Sequence, residues 1–207
     1  MDLAVPAVLS AEAATAVKTA LRVLHFVGLV LGLGAATLLD LIMLRFLAAG
    51  TVSHDHHRIV AFSAKVVAGG LALLWVSGLG FLAHYALFEP AMLGNDKIWA
   101  KAAIVGVLTV NGVFIHNVVL PLVERSVGRG LFDGMSGRRR AVVLASGAVS
   151  ATSWYVPMLI GSVPQLDVVV PAWLILAAYA ALLLFAAAAA VAAARLVLPP
   201  AALAGPR

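Results

Sequence analysis

Five long apolar stretches separated by short polar segments dominate the chain. They cover residues 17–48, 59–88, 98–123, 141–161 and 171–196. A bilayer core of about 30 Å is crossed by about 20 helical residues. Lipid offers no hydrogen bonds to the backbone, so continuous apolar runs of this length indicate helices. The pattern predicts one all-α domain over residues 1–207: a polytopic membrane bundle with a four-helix core and a peripheral fifth helix.

Composition narrows the class of protein further. Of the 207 residues, 63% are hydrophobic and only 11% are charged, whereas a soluble domain carries about 25% charged residues. Soluble enzymes, nucleic-acid binders and disordered proteins are therefore excluded, and a lipid bilayer is the expected surrounding. The chain has no cysteine, which excludes disulfides, thiolate metal sites and iron–sulfur clusters.

The basic residues predict an orientation in the membrane. Two of them border the first loop, five lie in the third loop and two lie in the C-terminal tail: Arg45, Arg58, Arg125, Arg129, Arg138, Arg139, Arg140, Arg195 and Arg207. Lys and Arg are enriched in cytoplasmic loops. We therefore expect these loops and the C-terminus in the cytoplasm and the N-terminus outside, in a bacterial inner membrane, although Lys18 and Arg22 lie on the outer side.

Polar residues inside the spans fall into two predicted layers. The outer layer contains His25, His84 and Lys101. The inner layer contains Asp40, Lys65, His116 and Arg45, and Asn111 lies between the layers. Ionisable groups in a span are costly and are functional candidates by default.

The outer layer offers three nitrogen ligands at one expected depth. Helix bundles bind haem with side chains from facing helices, and Gly28 and Gly32 lie on roughly the same helix face as His25. Small residues there would let a flat macrocycle approach the backbone. Glycines also serve ordinary helix packing, and a membrane histidine also serves as an interhelical hydrogen-bonding group.

Two segments resemble a known superfamily. These are LHFVGLVLGLG at residues 24–34 and IWAKAAIVG at residues 98–106, together with Arg58 at the start of the second span. They are similar to the first and third spans of HemJ-type and CopD-type membrane proteins. The resemblance covers roughly residues 20–120, about half of the chain.

The resemblance implies a b-type haem whose axial ligands are His25 and Lys101. Trp99 matches the tryptophan that opens the third span in that family. Only Ala100 separates Trp99 from Lys101 here, whereas HemJ-type proteins have a longer interval containing a histidine. His84 is a rival second ligand, and Lys101 has the alternative of extending its ammonium to the outer interface.

The inner layer allows two interpretations. Asp40 and Lys65 could form a buried ion pair that offsets two desolvation costs. Alternatively, both could belong to a proton or quinone-side relay with Asn111 and His116. The inner half of the spans has no second histidine to pair with His116, which disfavours a two-haem arrangement.

A histidine-rich tract lies before the second span. His54, His56 and His57 accompany Asp55, and imidazole with carboxylate binds Zn or Cu. Such tracts are often plain polar loops. The CopD resemblance favours metal, but the five methionines form no cluster typical of copper proteins.

Three functions are consistent with these features. The first is a membrane protein that binds haem b and passes electrons between a quinone and a redox partner. The second is a HemJ-like oxidase of protoporphyrinogen IX. The third is a non-redox role, either in copper transport or as a structural subunit of a homo-oligomer or larger membrane complex. The sequence contains no phosphate-binding loop, nucleophile–base motif or metal-hydrolase motif.

Overall fold

The computed structural model describes residues 4–49, 51–163 and 170–197. The helices are α1 (Ala4–Ala49), α2 (His54–Phe88), α3 (Asp96–Phe114), α4 (Leu120–Arg125), α5 (Gly137–Ser162) and α6 (Ala172–Val197). A 3-10 turn (Pro90–Gly94) precedes α3, and a π-helical segment (Ile115–Val119) joins α3 to α4. The described part contains no named strand, and five of its helical stretches are long and apolar enough to cross a membrane. The all-α polytopic bundle is thus confirmed.

Two helices begin earlier than the hydrophobic pattern predicts. The helix α1 has 46 residues and measures about 70 Å at 1.5 Å per residue, so it extends well beyond a bilayer core. The helix α2 begins at His54 rather than near residue 59 because Ser53 caps it. Ser53 Oγ accepts a hydrogen bond from His56 N at 3.1 Å, and His56 Nδ1 accepts one from Ser53 N at 3.4 Å. This is a capping box with histidine in the usual Glu or Gln position.

The helices α1 and α2 form a close antiparallel pair built on small residues. A Cβ added to Gly28 would lie 3.0 Å from Gly70 O, and one added to Gly70 would collide with the backbone of Gly32. Buried positions on α2 recur every three or four residues: Val60, Ser63, Gly70, Leu74, Ser77 and His84. This stripe faces α1, since its members supply the contacts with α1.

The helices α3, α5 and α6 form the other part of the bundle. Their shared core contains Ala100, Ile104, Ile160, Ile175 and Tyr179. The hydroxyls of Ser153 and Tyr179 lie 2.8 Å apart and link α5 to α6. On its other side α6 exposes large apolar residues such as Trp173 and Phe185, so this fifth span lies at the edge of the bundle.

Trp154 joins the two parts. It is 2% exposed and clusters with Ala36, Leu74 and Leu108, which come from α1, α2 and α3. Its ring occupies the space beside Gly32, where a Cβ would collide with it. The helices α1, α2 and α3, which hold most of the predicted polar layers, therefore meet around one indole of α5.

We call the end of the bundle with residues 51–53 and 126–136 the inner end, and the opposite end the outer end, after the predicted orientation. The two inner loops are hydrogen-bonded together, with Val52 N donating to Arg129 O at 2.9 Å and Gly128 N donating to Val52 O at 2.8 Å. Gly128 has φ +86°, which favours glycine. Apolar residues of both loops and of the helix ends are buried here, including Phe46, Val123 and Leu131.

At the outer end, two side chains at the start of α3 hold the ends of two other helices. Asp96 Oδ2 accepts a hydrogen bond from Ala172 N, at the start of α6, at 2.9 Å. Lys97 Nζ donates to Val163 O, just after α5, at 2.8 Å. An acid at a helix N-terminus and a base at a helix C-terminus both complement the helix dipole. We call this pair of contacts the outer clip.

Candidate functional site

His25 has a defined hydrogen bond to the neighbouring helix. Its Nδ1 lies 2.9 Å from Ser77 Oγ, and the Ser77 hydroxyl donates to Leu73 O at 2.7 Å. Ser77 Oγ therefore accepts from the Nδ1–H of His25, and a neutral imidazole then carries its lone pair on Nε2. A second-shell acceptor that fixes the tautomer in this way is typical of metal-ligating histidines.

Lys101 approaches His25 from α3. The two side chains are half-buried and lie close enough for the ammonium group to act electrostatically on the imidazole. The structure thus places Lys101 within electrostatic range of His25, and these are the two residues that the resemblance implies as ligands. Trp99 makes its hydrogen bond outside this pair of residues: its Nε1 donates to Leu93 O in the 3-10 turn at 2.8 Å, and its side chain is largely exposed.

His84 lies nearer the outer end of α2 than the residue to which His25 bonds, and its place in one layer with His25 and Lys101 stays a prediction. His25 bonds to Ser77, and His84 follows Ser77 by seven residues on α2, or about 10 Å of helix. The charged group that acts electrostatically on His25 is accordingly Lys101 rather than His84.

His84 belongs instead to a cluster at the outer end, which we call the outer cluster: Lys18, His84, Tyr85 and Glu89. Lys18 Nζ hydrogen-bonds Glu89 Oε1, and His84 Nε2 lies 3.5 Å from the same oxygen. Lys18 Nζ also lies 5.7 Å from the centroid of the Tyr85 ring. The hydrogen bond from Lys18 lowers the pKa of Glu89 below its ordinary value, and His84 acts in the same direction.

An aromatic side chain lies between the two histidine levels. The Phe81 ring is 5.8 Å from His25 and 5.9 Å from Tyr85, centroid to centroid. His84 is 4% exposed, and its Nδ1 is buried without a hydrogen-bond partner in the described part of the chain. Phe81 and the outer cluster therefore lie on the outer side of His25, with an apolar ring and a largely buried imidazole.

The two glycines near His25 do not open a face for a macrocycle, contrary to the expectation. Gly28 packs against the backbone of α2 at Gly70 and Leu74, and Gly32 is covered by the Trp154 ring. Both positions serve helix packing, which is the alternative that the sequence left open. The haem site proposed below therefore rests on the donor atoms rather than on these glycines.

Sequence reasoning missed the roles of Ser77 and Glu89. In the sequence, Glu89 was recognisable only as an acidic residue on the outer side, and its distance along the chain from His84 and Lys18 indicated no contact with either. Ser77 could have been found, because it is one of the few polar residues of the second span. Pairing α1 and α2 in antiparallel register through their glycines would have placed it opposite His25.

The inner-layer residues do not assemble. Asp40 and Lys65 form no ion pair within 4 Å, so the predicted pair is wrong. Lys65 is exposed because it lies off the buried stripe of α2. Asn111 Nδ2 donates to Ser146 O at 2.9 Å, and His116 is exposed in the π-helical segment. A relay through these residues stays a prediction without a contact to support it.

The histidine tract forms the first turn of α2 rather than a loop. His54 is exposed, while the His56 ring lies 5.3 Å from the Phe46 ring and His57 is half-buried. Among the residues that the structure describes, no group of three His, Cys, Asp or Glu side chains is placed to hold a metal ion. Zinc or copper binding by His54, His56 and His57 therefore gains no support.

Two open and almost entirely apolar depressions lie on the described surface. One follows α1 along Val23–Leu31, and the other lies between α3 and α5 near Val110 and Val149. Neither is lined by His25 or Lys101. Comparisons with protein-family models, with curated proteins and with solved structures find no match to this chain.

Proposed function

We propose that this protein is an integral membrane haem protein that binds haem b through His25 and has a role in electron transfer. The observation that carries the proposal is the hydrogen bond from His25 Nδ1 to Ser77, which leaves Nε2 as a ligand atom inside a helix interface. A bound haem b would supply a one-electron iron couple.

The surrounding residues have separate tasks in this proposal. Ser77 orients the His25 ring, since its own proton is held by Leu73 O. Lys101 is the second axial group, because it approaches the same imidazole from α3. Phe81 packs against His25 from the outer side and limits access of water.

We also propose the orientation and the partners. The N-terminus lies outside and the inner loops, rich in arginine, lie in the cytoplasm, by the positive-inside rule; the membrane is a bacterial inner membrane. A carrier of single electrons in the bilayer needs a quinone or a membrane redox partner. The apolar outer side of α6 (Trp173 and Phe185) is available to lipid, to another copy or to a larger complex.

The test is a reduced-minus-oxidised absorption spectrum of the purified full-length protein. We expect a b-type band in the wild type and its loss in His25→Ala. Lys101→Ala should keep some haem but change its ligation spectrum, since one axial position changes. His84→Ala and His116→Ala are the controls and should keep the wild-type band, because His84 lies two turns away and His116 is exposed.

A wild-type protein expressed with ample haem that shows no b-type band would overturn the proposal. A band that survives His25→Ala but not His84→Ala would move the site to the outer cluster. The alternative function, oxidation of protoporphyrinogen IX, is consistent with the same proximity of His25 and Lys101. Complementation of a strain that lacks this oxidase distinguishes the two functions.

A further inference from the structure

Asp40 is an acidic residue within a span that the proposed function does not use. It lies six residues before Phe46, the inner limit of the first span, or about 9 Å along the helix axis. It shares a helix face with Ala36 and Met43, at i−4 and i+3. Ala36 belongs to the Trp154 cluster, and Met43 packs on the inner apolar cluster. Asp40 thus lies between two apolar clusters and is half-buried.

No described group compensates this carboxyl. The two ion pairs among the described residues are both at the outer end, and none of the described hydrogen bonds involves Asp40. The nearest polar contact on α1 lies one turn outward, where the hydroxyl oxygens of Thr37 and Tyr155 are 2.9 Å apart. Thr37 donates to Leu33 O at 2.7 Å, so its proton is already used.

Charged side chains on the surrounding elements are placed elsewhere. The other ionisable groups on this part of α1 and on the facing parts of α2 and α5 are Arg45, His56, Lys65 and Tyr155, and Tyr155 bonds to Thr37. Lys65 and Arg45 are exposed, and His56 is turned to Ser53 and Phe46. A carboxylate in such apolar surroundings carries a large desolvation cost, whereas a neutral carboxylic acid carries much less.

We propose that Asp40 is a proton-binding site that exchanges its proton with the aqueous phase at the inner end of the bundle. The site is independent of haem, so this inference goes beyond the proposed function. The proton has a short path to water, since about two turns of helix separate Asp40 from the inner limit of the span. The opposite route is blocked by the Trp154 cluster, where Ala36 and Leu74 are buried.

The experiment uses dicyclohexylcarbodiimide, an apolar reagent that adds to protonated carboxyl groups. The full-length protein in lipid nanodiscs is treated over a range of pH, and the adduct is located by mass spectrometry of peptides. We expect one adduct per chain at Asp40, and its yield should fall about tenfold per pH unit above the midpoint of titration. Asp40→Asn should abolish this labelling, and Asp133→Asn, an exposed carboxyl outside the spans, should retain it.

A second measurement guards against a variant that fails to fold. Infrared difference spectra of the wild type between two pH values should show the carbonyl stretch of a protonated carboxylic acid, and the signal should be absent in a folded Asp40→Asn. Labelling of the Asp40 peptide that does not change with pH, or absence of labelling at every pH tested, overturns the proposal. So does an unchanged adduct yield in Asp40→Asn. Neither measurement uses the haem spectrum. A protein without a b-type band would therefore leave the test of Asp40 unaffected.

Discussion

At the scale of single residues, His25 and His84 differ in what their neighbours do to the ring. Ser77 accepts from Nδ1 of His25 and so leaves Nε2 with its lone pair. Glu89 faces Nε2 of His84 at 3.5 Å, and the Nδ1 of that ring is buried without a partner in the described residues. The first ring is arranged as a ligand, and the second belongs to a charged cluster that ties α1 to the end of α2.

Glu89 gives this cluster a predicted dependence on pH. The hydrogen bond from Lys18 lowers the pKa of Glu89 below 4.5. A lowered pKa in the folded state means that the stabilisation is present above pH 4.5 and is lost as the pH falls through the folded pKa. We expect the melting temperature of the wild type to exceed that of Glu89→Gln at neutral pH, and the difference to close below pH 4.5.

Glu124→Gln provides the control, because Glu124 is an exposed carboxyl at the inner end. Thermal melting followed by circular dichroism in detergent measures all three proteins. A difference between the wild type and Glu89→Gln that stays constant down to acid pH would contradict the role of the Lys18 contact.

At the scale of elements, the α1–α2 pair depends on backbone contact between glycines. A Cβ added to Gly70 would collide with the backbone of Gly32, and a Cβ added to Gly28 would lie 3.0 Å from Gly70 O. In lipid, helices associate through close packing of small residues, since burial of apolar surface gives no advantage there. The adjacent Gly69 has open space around it, which makes the two positions a matched pair.

Gly70→Ala and Gly69→Ala are therefore predicted to have opposite effects. Alanine at position 70 forces α1 and α2 apart, and overpacking of this kind costs about 1–3 kcal/mol. Alanine at position 69 meets nothing and gains helix propensity, up to about 1 kcal/mol. The free energy of unfolding of each variant in lipid bicelles measures the effect. Equal effects at the two positions would show that the pair is not held by this contact.

Hydrophobic length predicted the five spans but not their ends or their contacts. The start of α2 depends on a local cap, Ser53 with His56, and histidine is not the residue expected at that position of the box. Depth alone placed His25 and Lys101 in one outer layer, because each lies toward the outer end of its predicted span. The depth of His84 and the separation of Lys65 from Asp40 depend on the register of α2 against α1. This register cannot be inferred from the hydropathy of the two spans.

At the scale of the whole molecule, charge is distributed unevenly between the two ends. Exposed arginines gather at the inner end, where Arg125, Arg129, Arg138 and Arg139 surround the hydrogen-bonded loops. The outer end has charges of both signs: Lys18 and Glu89 contact each other in the outer cluster, and Asp96 and Lys97 bond to backbone groups in the outer clip. This asymmetry is the basis of the proposed orientation.

The orientation has a direct test because the chain contains no cysteine. Single variants Glu12→Cys, near the N-terminus, and Arg129→Cys, in an inner loop, are exposed positions. We expect a membrane-impermeant maleimide to label Glu12→Cys from outside the cell. Arg129→Cys should be labelled only in inverted vesicles. The reversed pattern would contradict the proposed orientation. The aqueous access proposed for Asp40 would then lie on the outside of the cell.

The outer clip also sets an order of events during synthesis. Asp96 bonds to a residue 76 positions later, and Lys97 to one 66 positions later. A hairpin of α1 and α2 has all its own contacts as soon as α2 leaves the ribosome, but α3 waits for α6. Until α5 arrives, the surface beside Gly32 lacks the Trp154 ring that covers it. The nascent protein therefore has a closed α1–α2 hairpin beside an open groove until α5 arrives, and the outer clip is complete only once α6 follows.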